Sequence, residues 1–166
     1  MSAGIIVRRA TPEDGEAVVG MIERLADYEK LTPPDEAAKL RILADMFSKA
    51  RPFETYIARV DGRPAGYAIT FQVYSTFRGR PKLYLEDIFV LEEFRSRGVG
   101  FALFREAAHE AARKGCEEID WEVLTWNQLA IDFYERLGAR PDTGWQTYVL
   151  PREHIERLTN DDANDD

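Results

Sequence analysis

A glycine-rich turn between an apolar strand and an amphipathic helix is the feature that most restricts the fold of this sequence. Residues 83–90 are mostly apolar, and the turn Arg95-x-x-Gly98-x-Gly100 follows them. A segment with apolar residues three and four apart begins at Val99. Glycines let the backbone approach a ligand, and a helix N-terminus presents unpaired N–H groups. The pattern therefore predicts a phosphate site, with a merely structural tight turn as the alternative.

Two common nucleotide-binding motifs do not fit this turn. A dinucleotide fingerprint would require a third glycine at position 103, where the chain has Leu103, and it would usually lie near the start of the first βαβ unit. A P-loop would require Gly-Lys-Ser/Thr, which the sequence lacks. The turn is thus predicted to be a short pyrophosphate cradle.

Length and composition predict one globular domain in a reducing compartment. The chain has 166 residues, 45% of them hydrophobic and 31% charged, which argues against disorder. No apolar run approaches the roughly 20 residues of a membrane helix, and the first residues do not resemble a signal peptide. Cys116 is the only cysteine, so no internal disulfide forms, and the protein is expected to be cytoplasmic.

The negative charge is concentrated at the C-terminus. The net charge is −8, and four aspartates at positions 161, 162, 165 and 166 contribute half of it. Residues 159–166 are therefore predicted to be an acidic, disordered tail. The mild negative charge of the remaining chain disfavours nucleic acid as a partner and is compatible with a cationic substrate.

Hydrophobic periodicity predicts the order β-α-α-β-β-β-α-β-α-β. This order describes a mixed sheet with helices on its faces, built from an antiparallel meander and a βαβ crossover. The first predicted helix follows Thr11, and three more cover residues 35–47, 99–114 and 127–137. The predicted strands are Ile5–Arg9, Thr55–Val60, Ala65–Tyr74, Lys82–Val90, Glu118–Leu124 and Trp145–Leu150.

Three segments carry a resemblance to a known family. The turn at Arg95, together with residues 83–90 and the segment Trp126-Asn-Gln-Leu-Ala-Ile-Asp-Phe-Tyr-Glu-Arg-Leu-Gly-Ala139, resembles the GCN5-related N-acetyltransferases (GNAT). The last two segments and Leu25-Ala-Asp-Tyr-Glu29 are similar to the diamine (spermidine/spermine) branch, which includes the thialysine acetyltransferases. The resemblance implies one GNAT domain over residues 1–158. Its class is α/β (mixed α+β), with a central, mostly antiparallel twisted sheet flanked by helices on both faces.

The resemblance also implies a reaction. Acetyl would pass from acetyl-CoA directly to a primary amine of a small cationic substrate, either a diamine, a polyamine or a lysine-like amine. A protein or peptide amine acetyltransferase is the alternative within the enzymes, and a catalytically silent acyl-CoA-binding module is the alternative outside them. The resemblance further implies a homodimer. No metal, nucleic acid or membrane is expected to take part.

Glu86 and Asp87 are the candidate carboxylates of the reaction. Their adjacency in a strand predicts side chains on opposite faces, so that at most one faces a given cleft. The resemblance implies that Glu86 is the base, acting through water, and a clamp for the cationic amine, while Asp87 contributes to substrate recognition. Two surface carboxylates on an edge strand are the alternative.

Tyr134 is the candidate general acid. A phenol is protonated at neutral pH and can donate to the leaving sulfur. An ordinary core tyrosine is the alternative from the sequence, since Phe133 and Tyr134 are neighbours on an amphipathic helix. The resemblance implies the catalytic role.

The predicted contacts to the cofactor form three groups. The resemblance implies that the backbone of strand residues pairs with pantetheine, that the turn binds the pyrophosphate, and that the start of the last long helix lines the pantetheine arm. These residues are Ile88, Phe89 and Val90; Arg95, Ser96, Arg97, Gly98, Val99, Gly100 and Phe101; and Asn127, Gln128, Leu129 and Ala130.

Tyr28, Glu29 and Trp145 complete the predicted substrate site. For the first two the alternative is the solvated end of a helix, and for Trp145 it is a core or interface residue. Asp120 and Thr143 occupy places where the diamine branch has a histidine and an acidic residue, which favours shorter diamines or lysine-like amines.

The remaining reactive side chains are predicted to be structural or exposed. His109, His154 and Cys116 have no neighbouring pattern typical of a metal site or a nucleophile.

Overall fold

The computed structural model describes residues 4–161, and the chain divides into two compact units. The first is Met1–Leu124 and the second is Thr125–Asp166. No helix among the described residues is both long enough and apolar enough to cross a membrane.

The first unit is a five-stranded sheet with helices on both faces. The strands follow each other in the spatial order β1-β2-β3-β4-β5, antiparallel except for the parallel pair β4–β5. This confirms the predicted mixed, mostly antiparallel sheet. The elements are β1 (Ile5–Arg9), α1 (Gly15–Glu29), α2 (Glu36–Phe47), β2 (Glu54–Val60), β3 (Arg63–Ser75), β4 (Arg80–Val90), α3 (Val99–Arg113) and β5 (Ile119–Asp120).

Two apolar clusters define the two faces of this sheet. On the α3 face, Leu85 of β4 packs in one cluster with Leu103 of α3. On the α1 face, Tyr67 of β3 and Phe89 of β4 pack in one cluster with Val18 of α1. Burial of apolar side chains on both faces is what holds the helices against the sheet.

A buried carboxylate ties the start of α1 to the sheet. Asp14 is fully buried and accepts hydrogen bonds from Arg8 of β1 at 2.6 Å, from Arg59 of β2 at 2.7 Å and from the Thr11 amide at 2.9 Å. Burial opposes its ionisation, but these donors outweigh burial and hold the pKa of Asp14 well below its usual range. Asp14 therefore anchors the start of α1 to β1 and β2 through an ion-pair network.

The strand β5 is shorter than the prediction over Glu118–Leu124. Only Leu83 and Tyr84 of β4 pair with it, through Ile119 and Asp120. A strand continues only as far as its backbone stays about 4.8 Å from a neighbouring strand and pairs with it. The pairing of β5 with β4 ends after two residues. The prediction was therefore right about the strand and wrong about its length.

The second unit contains α4 (Gln128–Arg136) and α5 (Arg152–Asp161). The strand predicted over Trp145–Leu150 is wrong: these residues form no strand, and the described strands of the sheet are β1 to β5 alone. Residues of high β-propensity form a strand only where a neighbouring strand pairs with their backbone N–H and C=O groups. Residues 159–161 belong to α5 and not to a disordered tail. Residues 162–166 of the predicted tail lie outside the described residues.

Candidate active site

The turn between β4 and α3 has the backbone geometry of an anion site. Ser96 and Gly98 have φ of 59° and 85°, in the left-handed region, and Gly98 directly precedes α3. A side chain at Gly98 would meet only Ile5, at 3.8 Å, so the backbone angle is what favours glycine there. The first turn of α3 contains no acidic residue, and its first N–H groups have no intrahelical acceptor. The predicted pyrophosphate contacts therefore fit a phosphate.

The two arginines of this turn differ in their surroundings. Nε of Arg95 donates to the Val90 carbonyl at 3.1 Å, and its guanidinium lies 4.9 Å from the Tyr28 ring centroid. The same guanidinium is 5.8 Å from the Phe89 ring. Arg97 is exposed and lies over another ring of the turn. The Arg95 side chain thus connects the turn to the end of α1, whereas Arg97 remains at the surface.

The second half of β4 is paired on one side only. Leu85 and residues 87–90 pair with β3, while β5 pairs no further along β4 than Tyr84. No other described strand joins β4 on the β5 side. A ligand with an amide backbone could therefore add to this edge as a strand does. This edge includes the residues predicted to pair with pantetheine, Ile88, Phe89 and Val90.

A β-bulge at Glu86 changes which face of the sheet β4 presents. Ile69 of β3 pairs with Asp87 and Thr70 pairs with Leu85, so Glu86 has no partner in β3. Leu85 faces α3, and its neighbour Glu86 therefore faces the α1 side. Asp87 also faces the α1 side, where the Tyr67 hydroxyl donates to it.

The predicted opposition of Glu86 and Asp87 is therefore wrong. The extra residue of the bulge resets the alternation that an unbroken strand would impose, and both carboxylates point to one face. Glu86 is exposed, whereas Asp87 is mostly buried. One carboxylate of the pair is open to water and the other is withdrawn from it.

Asp87 lies among acidic groups. The Tyr67 hydroxyl donates to its Oδ2 at 3.1 Å. Burial raises the pKa of Asp87 to about 6; the Tyr67 hydrogen bond lowers it, and the negative charges of Glu86 and Glu29 raise it. Burial also raises the pKa of Glu29 at the end of α1. The structure thus brings the predicted substrate residues Glu29, Glu86 and Asp87 to one place.

Tyr28 and Glu29 lie in the last turn of α1, and neither is fully solvated. Tyr28 is partly buried against the apolar cluster of the α1 face and carries the Arg95 guanidinium on its ring. Glu29 is close enough to Asp87 and Tyr67 to raise the pKa of both. The solvated-helix-end alternative therefore does not describe these two residues.

Asp120 is paired with a lysine. Lys82 of β4 donates to its carboxylate, and hydrogen bonding to Asp120 raises the pKa of Lys82. Burial raises the pKa of the nearby Tyr84 phenol, and the charges of Glu122, Glu86 and Asp120 raise it further. This part of β4 and β5 is acidic, with Lys82 as a counterion.

The second unit carries the remaining predicted residues. Asn127 is buried and caps α4, its side-chain oxygen accepting from the Ala130 amide at 3.2 Å. Gln128 is exposed and donates to Asp132, and Leu129 is exposed on the same helix.

Tyr134 and Trp145 also lie in this unit. Tyr134 is partly buried in α4, with its ring centroid 5.4 Å from that of Phe133. Trp145 is 79% exposed, so within the described unit it is not a core residue. The roles predicted for Tyr134 and Trp145 stay predictions.

Sequence reasoning missed Tyr67. An aromatic residue in an apolar strand is usually a core residue, and Tyr67 is indeed fully buried. Its polar role depends on the bulge that turns Asp87 toward it, and no sequence signal marked that bulge. Cys116 and the two histidines form no metal site. Burial raises the pKa of the Cys116 thiol, and the described residues contain no cluster of His, Cys, Asp or Glu that could hold a metal ion.

Comparison with known proteins points to one family. The model of the acetyltransferase (GNAT) family matches residues 18–139. A thialysine N-epsilon-acetyltransferase from Sus scrofa is 34% identical, and the match covers 94% of this chain and 98% of the relative. An L-ornithine N5-acetyltransferase from Arabidopsis thaliana is 25% identical, covering 92% of this chain and 86% of the relative.

Solved structures share the fold. An integron cassette protein from the mobile metagenome of V. cholerae superposes with a TM-score of 0.80 at 22% identity, covering 96% of this chain and 98% of that one. An aminoglycoside N-acetyltransferase in complex with CoA gives a TM-score of 0.75 at 23% identity, covering 92% and 97%.

Proposed function

Because the chain belongs to the acetyltransferase (GNAT) family and is thus an acetyl-CoA-dependent N-acetyltransferase, we propose that its acceptor is a lysine-like amino acid or a short diamine. The observation that carries this proposal is the acidic site on the α1 face, where Glu29, Glu86 and Asp87 meet without a basic partner among the described residues. A cationic amine would find three carboxylates there. The thialysine and ornithine acetyltransferases among the relatives act on amines of this size.

The backbone of the predicted cofactor site is suited to acetyl-CoA. The left-handed residues before α3 and its unpaired N–H groups suit a pyrophosphate, and the open edge of β4 suits the amides of pantetheine. The nearby arginine Arg97 is exposed and adds positive charge. Bound there, acetyl-CoA supplies the thioester carbonyl that the amine attacks.

Acetyl transfer makes three demands on this chain. The substrate ammonium must lose a proton, because its pKa is about 10 when unperturbed. The developing oxyanion needs a donor, for which a backbone N–H of 88–90 is the candidate. The leaving thiolate needs a proton, for which the Tyr134 phenol is the candidate. For the ammonium proton, Glu86 is the candidate base, acting through water, and it is also the candidate clamp of the cation; its exposure gives it access to water.

Two alternatives remain distinguishable from this proposal. A peptide amine acetyltransferase would prefer a peptide over a free amino acid. A silent acyl-CoA-binding module would bind acetyl-CoA without releasing CoA thiol, yet it would have no use for the acidic site. The second alternative is disfavoured because a binding module needs only the turn and the open strand edge.

We further propose that the protein is a cytoplasmic homodimer. The support is the similarity to the diamine branch. In addition, four large apolar side chains of one segment are exposed in the described chain and offer surface for contact: Trp145, Tyr148, Val149 and Leu150. Light scattering at two concentrations should give twice the mass of the 19.0 kDa chain. A monomer at both would contradict the dimer without affecting the proposed reaction.

The acceptor is tested by CoA-thiol release with matched amines. L-lysine, thialysine and ornithine are compared with cadaverine, putrescine, spermidine and a lysine peptide. We expect kcat/KM to be highest for the amino acids or short diamines. The highest kcat/KM for the peptide would overturn the proposed acceptor, and no release with any amine would favour the binding module.

A matched variant separates binding from chemistry. Tyr134→Phe should bind CoA as tightly as the natural protein by calorimetry and turn over at least tenfold more slowly, a typical loss for a general acid. Full turnover in this variant would contradict the role of Tyr134 and leave the acceptor assignment standing.

A further inference from the structure

Phe94 carries two arginine side chains on its ring. It lies directly before the turn between β4 and α3 and is almost fully buried in the apolar cluster of the α3 face. The guanidinium carbon of Arg63 lies 5.2 Å from the ring centroid, and that of Arg97 lies 5.7 Å from it. Arg63 is the first residue of β3, whereas Arg97 belongs to the turn itself. One buried ring therefore brings together two cations from segments far apart in the chain.

The hairpin between β2 and β3 fixes the position of Arg63. Asp61 and Gly62 have φ of 49° and 79°, both in the left-handed region, as in a tight two-residue hairpin turn. Val60 pairs with Arg63 directly across this turn. Nη1 of Arg59 donates to the Gly62 carbonyl at 2.6 Å, which ties the tip of the hairpin to β2. The backbone of Arg63 is therefore held in one place.

The start of β1 lies next to both segments. Ile5 pairs with Val60, the last residue of β2 before the hairpin. The Ile5 side chain is also what a Cβ at Gly98 would meet, at 3.8 Å. The hairpin with Arg63 and the turn with Arg97 are thus neighbours of the same residue of β1, which supports their proximity independently of the Phe94 ring.

Neither Arg63 nor Arg97 has an acidic partner within the described residues. The carboxylates nearest in sequence belong to Asp61, Glu92 and Glu93. None of these carboxylates forms a salt bridge with either arginine, and both arginines are exposed. Stacking occupies the face of a guanidinium and leaves the N–H donors along its edge available. Two planar sets of donors can therefore bind an anion.

Arg95, the other arginine of the turn, is used differently. Its Nε donates to the Val90 carbonyl at 3.1 Å, and its half-buried guanidinium lies over the rings of Tyr28 and Phe89. This side chain packs the end of α1 against the end of β4. Binding of an anion outside the turn therefore falls to the two arginines on Phe94.

Coenzyme A presents two separate anionic groups on one ribose. Its 5′-pyrophosphate suits the backbone N–H groups at the start of α3, but a helix N-terminus offers only about four of these groups. Its 3′-phosphate is a phosphomonoester with a charge of about −1.5 to −2 at neutral pH. The net charge of −8 on this chain repels such a group unless local cations attract it. The fork of a guanidinium matches the geometry of phosphate oxygens.

We propose that Arg63 and Arg97 form a phosphomonoester site that binds the 3′-phosphate of coenzyme A, with Phe94 as the platform on which both guanidinium groups stack. The site makes the protein discriminate between coenzyme A and 3′-dephospho-coenzyme A. This inference rests on the proposed pyrophosphate site at Gly98, because both phosphates belong to one ribose. It gives a role to Arg63, a residue that no motif of the sequence marked.

Calorimetry with the two forms of the coenzyme tests the site without any turnover. The natural protein should bind coenzyme A at least about tenfold more tightly than 3′-dephospho-coenzyme A, the combined effect of two modest contacts from exposed arginines. Equal affinity for the two forms would overturn the proposal. It would leave the proposed acceptor standing, because the measurement contains no amine. Binding of neither form would overturn the proposed cofactor site as well.

Arg63→Gln separates the 3′-phosphate from the rest of the coenzyme. This variant should bind coenzyme A about threefold or more weakly and bind 3′-dephospho-coenzyme A within about twofold of the natural protein. Arg41→Gln is the matched control, because it removes the same charge from an exposed position on α2 and should change neither affinity. An equal loss for both forms in Arg63→Gln would assign Arg63 to the pyrophosphate and overturn the proposal.

The double variant Arg63→Gln/Arg97→Gln gives the sharpest result. Both side chains are exposed, and the backbone of the turn is kept, so the variant should still fold and bind the pyrophosphate. It should bind coenzyme A and 3′-dephospho-coenzyme A with the same affinity, to within about twofold, because no guanidinium remains on Phe94. A preference for coenzyme A as strong as that of the natural protein would overturn the proposal.

Discussion

Asp14 and Asp87 are both largely withdrawn from water, but the charged groups around them have opposite signs. Asp14 is held by Arg8 and Arg59, and these donors outweigh burial and hold its pKa well below the usual range. Asp87 is held by Tyr67 alone, with Glu29 and Glu86 nearby, and burial raises its pKa to about 6.

The difference shows that partners, more than burial, decide what a buried carboxylate does. With two arginines, Asp14 stays ionised and joins β1, β2 and the start of α1, which is a structural role. Without a cation nearby, the negative charge of Asp87 is uncompensated, and a cationic substrate would compensate it. Arg95 could have neutralised that face, but it stacks on aromatic rings instead.

The largest expected effect is on stability at Asp14. Asp14→Asn would leave the partly exposed Arg8 and Arg59 without their counterion and should destabilise the fold by about 2–3 kcal/mol, the range for losing hydrogen bonds to a charged group. Urea denaturation at pH 7 measures the change. Asp45→Asn, an exposed aspartate of α2, is the control and should change stability by less than about 0.5 kcal/mol. An equal loss in both variants would contradict the comparison.

Asp14 also predicts how acid acts on the fold. Its folded-state pKa is lowered, so its contribution is complete above the unfolded pKa of about 4 and is lost as pH falls below that value. The natural protein should lose this contribution in acid, and Asp14→Asn should show a flatter stability curve there. Parallel curves for the two proteins below pH 4 would be evidence against the Asp14 network.

Asp87 should behave in the opposite way. Its folded-state pKa is raised to about 6, so its ionisation costs stability from about pH 4 upward and fully above pH 6. Asp87→Asn should therefore unfold at a higher urea concentration at pH 7, with a gain of about 1–2 kcal/mol. The gain should vanish at pH 4. A loss of stability at pH 7 would show that Asp87 is structural like Asp14.

The smallest expected effect comes from Glu29. Removal of its negative charge in Glu29→Gln should lower the pKa of Asp87, so the midpoint of the Asp87 titration followed by carboxyl NMR should move down by less than about one pH unit. Glu16→Gln, in the exposed first turn of the same helix, is the control. A shift to higher pH, or an equal shift in both variants, would separate Glu29 from the acidic site.

The elements with strong local signals were predicted correctly. Periodicity located α1, α2 and α3, and the glycine spacing between an apolar strand and a helix located the turn at Gly98, whose φ is in the left-handed region. Such signals are local: helical spacing, caps and glycines act within a few residues of chain. The strand expected at 145–150 failed because composition does not supply a partner strand.

The acidic site could be predicted only in part. Glu29, Glu86 and Asp87 were chosen through the resemblance, but their arrangement was not. Alternation along a strand predicted opposite faces, and the bulge at Glu86 reversed that expectation. Tyr67 carried no signal apart from its place in an apolar strand, so its contact with Asp87 could not be foreseen.

By itself, the sequence determined the turn, the helix that follows it and the mixed sheet, because glycines and apolar spacing act through neighbouring residues. Only the tertiary structure decided which carboxylates meet and what charge surrounds each. A one-residue bulge placed Asp87 beside Tyr67, and the register between β1 and β2 placed two arginines on Asp14. Proton affinity depends on charges within a few ångströms, and those distances are set by packing between segments far apart in the chain.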